Sequence, residues 1–376
     1  MVVEGLEGVV VAESEISVID GEEGELVYRG YNIHDLAQDI QFEELLSLLW
    51  DGDLPNQEKF EEIRQRLDDN RAVNDDVLEL MRSQAAQDVH PMAALRTGVS
   101  SLSAFDPDAD ADAKDEEANY RKAHRITAKM ITLVAAFDRY RNGKEPLSPN
   151  PDLSHAGNFL YMLNGQEPSQ TAVDAFNTCL VLHADHGLNA STFSGRVTAS
   201  TLSDIHCAIT SAIGTLKGPL HGGANMDVMR MLLEIDEADA DPVEFVKEKL
   251  NRGEKIAGFG HRVYDTEDPR ATHLREMSEQ LGEQNGTRQW FEYSRAIEDF
   301  MLEDKGINCN VDFYSASTFY QLGVPIDIFT TIFASSRVVG WLAHVMEQYE
   351  NNRLIRPRAE YVGERDRTVT PLSERS

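Results

Sequence analysis

Residues 120–143 read YRKAHRITAKMITLVAAFDRYRNG. Ala123, Ile126, Met130, Leu133 and Phe137 recur at steps of three and four, which lays one apolar face along a helix until Asn142-Gly143 ends it. The same spacing returns on both sides. Upstream it runs through FEELLSLLWDGDLP (42–55) and EKFEEIRQRLDDN (58–70). Downstream come VDAFNTCLVLHADHG (173–187), SDIHCAITSAIGTLKGPL (203–220), NMDVMRMLLEIDEA (225–238), DPVEFVKEKLNRG (241–253), ATHLREMSEQLGEQ (271–284), SRAIEDFMLEDKG (294–306) and SRVVGWLAHVMEQYENNR (336–353). Only VVVAESEISVIDGEEGELVYRGYNI (9–33) breaks the pattern, with β-branched and polar residues alternating around Gly21 and Gly24, the signature of a short hairpin. The expected fold class is mainly α with a short N-terminal β element.

The chain carries 65 acidic against 35 basic residues, a net charge of -30, and only 10 of the cations are lysine. That excess argues against nucleic acid or an anionic membrane as a partner. Spread along the chain, it suits a halophilic surface that stays hydrated in concentrated salt, where a Debye length of about 3 Å removes self-repulsion. Cys179, Cys207 and Cys309 are odd in number and widely spaced, which fits a reducing compartment and gives no metal or disulfide framework. With no basic leader and no apolar run approaching about 18 residues, the chain is expected to be cytoplasmic. Asp106, Asp108, Asp110, Asp112 and Glu117 imitate the spacing of a calcium loop, but Ala111 stands where the sharp turn needs glycine. We read that stretch as surface.

Four clusters place ionisable residues beside glycines or inside apolar runs. In HADHG, His183 and His186 could be a metal pair, core or capping histidines, or contacts for a substrate anion. In GPLHGGAN (218–225), His221 sits in a glycine turn ahead of a helix that Asn225 is expected to cap. The positive end of that helix would hold the ring neutral and ready to donate a hydrogen bond, although a tight turn alone also explains the motif. GFGHRVYDTEDPR (258–270) brings His261 together with Arg262 and Arg270, whose guanidinium suits a carboxylate or phosphate. Asp312 lies between Val311 and Phe313, either as a base with a raised pKa or as a helix N-cap. One carboxylate, polarising histidines and anion-holding arginines together describe carbon–carbon bond formation without a metal.

GPLHGGAN, GFGHRVY with DPR, NVDFYSAS (310–317), and SRVVGWLAHVMEQ (336–348) followed by NNRLIRPRAEYVG (351–363) resemble the citrate synthase family, in its archaeal and Gram-positive dimeric form. The resemblance implies that Asp312 removes a methyl proton from acetyl-CoA while His221 bonds the thioester oxygen. His261 polarises the ketone of oxaloacetate, and citryl-CoA is then hydrolysed to citrate and coenzyme A. His186, Arg270 and Arg337 would bind the oxaloacetate carboxylates, and Arg356 would reach the partner's site in a homodimer. Lys255, Gly258, Gly260, Arg262 and Lys305 would lie along coenzyme A. No metal or tightly bound cofactor is implied, the CoA thioester being a substrate. A large helical domain (1–221 and 319–376) would hold a small one (222–318). The nearest alternative is 2-methylcitrate synthase, acting on propionyl-CoA. Asp265 and Glu267 stand where relatives often carry a basic residue.

Overall fold

A computed structural model describes residues 2–375. Strands β1 (Ser17–Asp20), β2 (Glu25–Tyr28) and β3 (Tyr31–Asn32) form one antiparallel sheet in the order β1-β2-β3. The expected hairpin is there, with Asp20 paired to Glu25 and a third short strand added. Asp20 Oδ1 accepts the amides of Glu22 and Glu23, both at 3.0 Å, and so shapes the turn between β1 and β2.

Apart from an isolated bridge between Phe259 and Cys309, everything else regular among the described residues is helical. Residues 120–141 lie in the helix Glu116–Arg141, begun by Asp115 accepting the Ala118 amide and ended at Asn142. The innermost helix is Phe329–Glu350, which packs against Glu116–Arg141, Gln170–His183, Ala190–Ala199 and Ile205–Leu216. Ile326–Glu350 has the length and mean hydropathy, 1.3, of a membrane span, but 83% of its apolar window is buried inside the fold. It is apolar because protein surrounds it on every side.

The acids of residues 106–117 go to local structure. Arg125 Nη2 lies 2.7 Å from Asp106 and Arg121 Nη2 lies 2.7 Å from Asp108. No cluster of His, Cys, Asp or Glu able to hold a metal occurs among the described residues. His183 is a core residue whose Nδ1 bonds the carbonyl of Cys179 at 2.7 Å, and Cys179 and Cys309 are buried free thiols.

Candidate active site

Helix Ile205–Leu216 ends in the turn that presents His221. The amides of His221 and Gly222 return to the Gly218 carbonyl at 2.9 and 3.1 Å. A Cβ on Gly222 would stand 2.5 Å from the Leu216 carbonyl oxygen, and Gly223 has φ +107° as the cap of Ala224–Glu237. The glycines therefore serve close approach and a left-handed cap. Asn225 is not the cap the sequence suggested, because Gly223 takes that place and Asn225 is buried as the second residue of the helix.

The helix end that does face His221 belongs to Ala190–Ala199. Ser191 brings its amide to 3.3 Å and its hydroxyl to 2.8 Å from His221 Nε2, and Trp341 Nε1–H occupies the hydroxyl oxygen at 3.1 Å. The hydroxyl also donates to Asn189 Oδ1 at 2.7 Å, but the amide can only donate, so Nε2 accepts from it and the ring proton sits on Nδ1. Burial, helped by the charge of Arg337, lowers the ring pKa to about 4. His221 is thus a neutral donor at pH 7, held so by a different helix from the one expected.

Residues 258–260 run antiparallel to 308–310. The Asn310 amide bonds the Gly258 carbonyl and the Gly260 amide bonds the Asn308 carbonyl, both at 2.9 Å. Asn310 Nδ2 also reaches the Gly260 carbonyl at 2.8 Å. This pairing ties the two segments together, with His261 following one strip and Asp312 following the other at the opposite end, and the charges of Arg270 and Asp268 are felt at both. A Cβ on Gly258 would meet Phe313 and Val228 at 2.8 Å, so packing explains that glycine.

His261 Nδ1 accepts the amides of Val263 and Tyr264 at 3.0 and 3.1 Å, which puts its proton on Nε2. Burial and then Arg270 lower its pKa. Asp312 is not an N-cap, since Asn310 caps Val311–Gln321 and Asp312 lies in its first turn. Burial, partly countered by Arg270, raises the Asp312 pKa to about 6. That is the range in which a carboxylate works as a base near neutral pH.

The two buried arginines differ in their partners. Arg270 forks onto Asp268 at 2.9 and 2.7 Å, and Asp268 also caps Pro269–Asn285 and accepts the Val311 amide at 3.1 Å. DPR is therefore a helix cap, a proline in the first turn, and a buried ion pair tied to the helix of Asp312. Arg337 has no carboxylate within ion-pair distance among the described residues, and its hydrogen bond goes from Nε to the His183 carbonyl at 2.7 Å. Burial lowers its pKa to about 10, and its charge is felt at His186, His221 and Asp312. A buried cation of this kind is stabilised by an incoming anion. His186, held neutral by burial and both arginines, lies 3.3 Å through Nε2 from the Tyr264 hydroxyl.

Sequence reasoning missed Ser191, Tyr264, Asp268 and Trp341. The DP pair was a visible cap signal for Asp268, but nothing in the sequence pairs Ser191 with a ring 30 positions away. Lys255, Gly260, Arg262, Lys305 and Arg356 are all exposed. Lys255, Arg262 and Arg356 form no ion pair among the described residues, and Lys305 pairs only with its neighbour Asp304 at 2.9 Å. Of the two acids that depart from the family pattern, Glu267 pairs with Arg275, and the Asp265 amide bonds the Gly21 carbonyl at 2.9 Å. A cleft of about 1460 Å³ lies elsewhere, between residues 11–15 and 353–357.

The family described as "Citrate synthase, C-terminal domain" matches residues 5–358. The chain is 58% identical over 372 residues to citrate synthase of Haloferax volcanii, covering 99% of this chain and 98% of the relative. It is 53% identical over 373 residues to citrate synthase 2 of Bacillus subtilis, covering 99% of each. A citrate/2-methylcitrate synthase of B. subtilis is 41% identical, covering 97% of each. Among solved structures, citrate synthase from Pyrobaculum aerophilum superposes with a TM-score of 0.92 at 42% identity, covering 100% of this chain and 95% of the other. The ternary complex of carboxymethyl coenzyme A and oxaloacetate with the Thermoplasma acidophilum enzyme gives 0.91 at 33% identity, with both chains fully covered.

Proposed function

The chain belongs to the citrate synthase family, and from that premise we propose how its own residues carry the reaction. The enzyme is a transferase that condenses acetyl-CoA with oxaloacetate and hydrolyses citryl-CoA to citrate and coenzyme A. The observation that carries the assignment of roles is the pair of fixed tautomers, His221 with its proton on Nδ1 and His261 with its proton on Nε2, together with a carboxylate of pKa about 6.

Asp312 takes a proton from the acetyl methyl group. Electrons move onto the thioester oxygen, which the Nδ1–H of His221 stabilises. A neutral donor is better matched to an enolate than an imidazolium would be, because the proton stays available without collapsing the nucleophile. The enol carbon attacks the ketone of oxaloacetate, and the Nε2–H of His261 bonds or protonates the resulting alkoxide. Arg337, the cation without a counterion, receives one substrate carboxylate, with Arg270 and His186 completing the dicarboxylate site. Water then cleaves the thioester, and no metal takes part.

Residues 222–318 form a small domain that closes on the remainder, with His221 at one hinge, bringing the substrates together and excluding water. The enzyme is a homodimer in which the exposed Arg356 completes the partner's site. Coenzyme A lies along residues 255–262, with Lys255 and Arg262 free to meet its phosphates, the exposed Gly260 letting the backbone approach it beside the packed Gly258, and Lys305 nearby. Buried free thiols fit the cytoplasm, and the charge of -30 fits activity in concentrated salt. Acetyl-CoA is the acyl substrate, supported by 58% and 53% identity to the citrate synthases of Haloferax volcanii and Bacillus subtilis against 41% to the citrate/2-methylcitrate enzyme. Thiol release measured with acetyl-CoA and with propionyl-CoA tests this. A higher kcat/KM for propionyl-CoA would replace it with the methylcitrate reading.

A further inference from the structure

The N-terminal sheet touches both turns that carry substrate-facing histidines. At the open end of β1, Ser17 Oγ bonds the Asp185 carboxylate and accepts the Gly187 amide at 3.2 Å. On β2 the Tyr28 hydroxyl donates to the Asp185 carbonyl at 2.8 Å and receives its amide at 3.1 Å. The turn that bears His186 is therefore bonded at both flanks. At the other end, the β1–β2 turn presses on the loop after His261. The Gly21 carbonyl accepts the Asp265 amide at 2.9 Å, and a Cβ on Gly21 would lie 2.0 Å from the Val263 carbonyl oxygen. One on Gly24 would lie 2.6 Å from Thr266 Oγ1.

The gripped loop is the one whose amides, Val263 and Tyr264, set the tautomer of His261. We propose that the turn Gly21–Gly24 is a positioning latch: it docks on residues 263–266 and fixes His261 relative to His186, so that both meet one oxaloacetate. The proposal rests on the citrate synthase reading of these histidines. Gly21 and Gly24 act through the loop and touch no substrate. Glycine is needed at 21 because backbone must pass backbone without a side chain between them, a contact that a β1–β2 turn free in solvent would not require.

The test is Gly21→Ala, set against Gly30→Ala. Gly30 has φ +90° but nothing within 4 Å of its Cβ position, so its substitution strains the same sheet without touching the loop. Gly21→Ala is expected to lower kcat at least tenfold with unchanged circular dichroism. It should also make the acid limb of the pH profile steeper and move it to higher pH. With its two amide donors lost, His261, which faces His186, Tyr264, Asp268 and Arg270, binds a proton more readily. Gly30→Ala is expected to lower Tm and keep kcat and the profile.

A folded Gly21→Ala enzyme with wild-type kcat and pH profile would overturn the latch. If that variant does not fold, hydrogen exchange on the wild type decides, because a latched Asp265 amide exchanges at least tenfold more slowly than the amide of an unbonded exposed residue. Equal exchange overturns the proposal. Wild-type protein that releases no thiol from either acyl-CoA contradicts the family reading instead, and the Asp265 amide still reports on the contact.

Discussion

Ser191 and His221 meet at a single ring nitrogen, with the serine amide and hydroxyl both directed at Nε2 from 3.3 and 2.8 Å. The hydroxyl is a second contact at that nitrogen and links it to Asn189 Oδ1, 2.7 Å away. Ser191→Ala is expected to lower kcat about tenfold, the worth of one hydrogen bond of roughly 1.4 kcal/mol, with the KM for oxaloacetate nearly unchanged. Steady-state kinetics with both substrates varied checks it. A rise in that KM with kcat intact would place Ser191 in dicarboxylate binding.

Arg337 and Arg270 predict opposite stability effects. Arg337→Met removes a desolvated cation that has no carboxylate partner, so Tm should hold or rise while the KM for oxaloacetate climbs about a hundredfold, the loss of a charge-assisted fork. Arg270→Met leaves Asp268 buried and unpaired, and should cost about 3 kcal/mol or more of stability besides activity. Thermal melts beside kinetics separate the two. Equal destabilisation would show that Arg337 is paired in the resting enzyme.

The acid limb of kcat/KM should follow one proton with an apparent pKa near 6, since Asp312 must be ionised to act. His221, with a pKa of about 4, stays neutral through that window. Because the folded pKa of Asp312 is raised from 3.8 to about 6, its ionised form opposes folding as pH rises through that interval. The cost is absent below about pH 4 and complete above about pH 7. Asp312 is partly exposed, so Asp312→Asn should gain at most about 2 kcal/mol at pH 7.5. A stability loss there would mean that the carboxylate is a structural acceptor.

If Arg356 completes the partner's site, two inactive variants should rescue each other. Refolding Arg356→Ala with Asp312→Asn makes hybrid dimers in which one site is whole, and random pairing gives about a quarter of wild-type activity. No recovery from demonstrably mixed dimers would confine Arg356 to its own subunit.

The α-helical class and the N-terminal hairpin were legible because periods of 3.6 and 2 are local properties of the chain. So were the motifs bearing His221, His261 and Asp312. What lay beyond reach depends on contacts distant in sequence. Asn225 looks like a cap, yet the left-handed Gly223 holds that position. The helix end facing His221 comes from Ser191, and the turn bracing the His261 loop comes from Gly21, some 240 positions away. Ile326–Glu350 is long and apolar enough to span a membrane, and only the fold shows that 83% of its apolar window is buried inside the protein.

The most direct measurement is thiol release by wild type and Asp312→Asn, with oxaloacetate binding followed in parallel by calorimetry. The wild type should release coenzyme A from acetyl-CoA only when oxaloacetate is present. Asp312→Asn should bind oxaloacetate as tightly as the wild type yet turn over at least a thousandfold more slowly, a loss of about 4 kcal/mol in transition-state stabilisation. Near-wild-type turnover by Asp312→Asn would contradict the assignment of Asp312 as the base and with it the mechanism built around it.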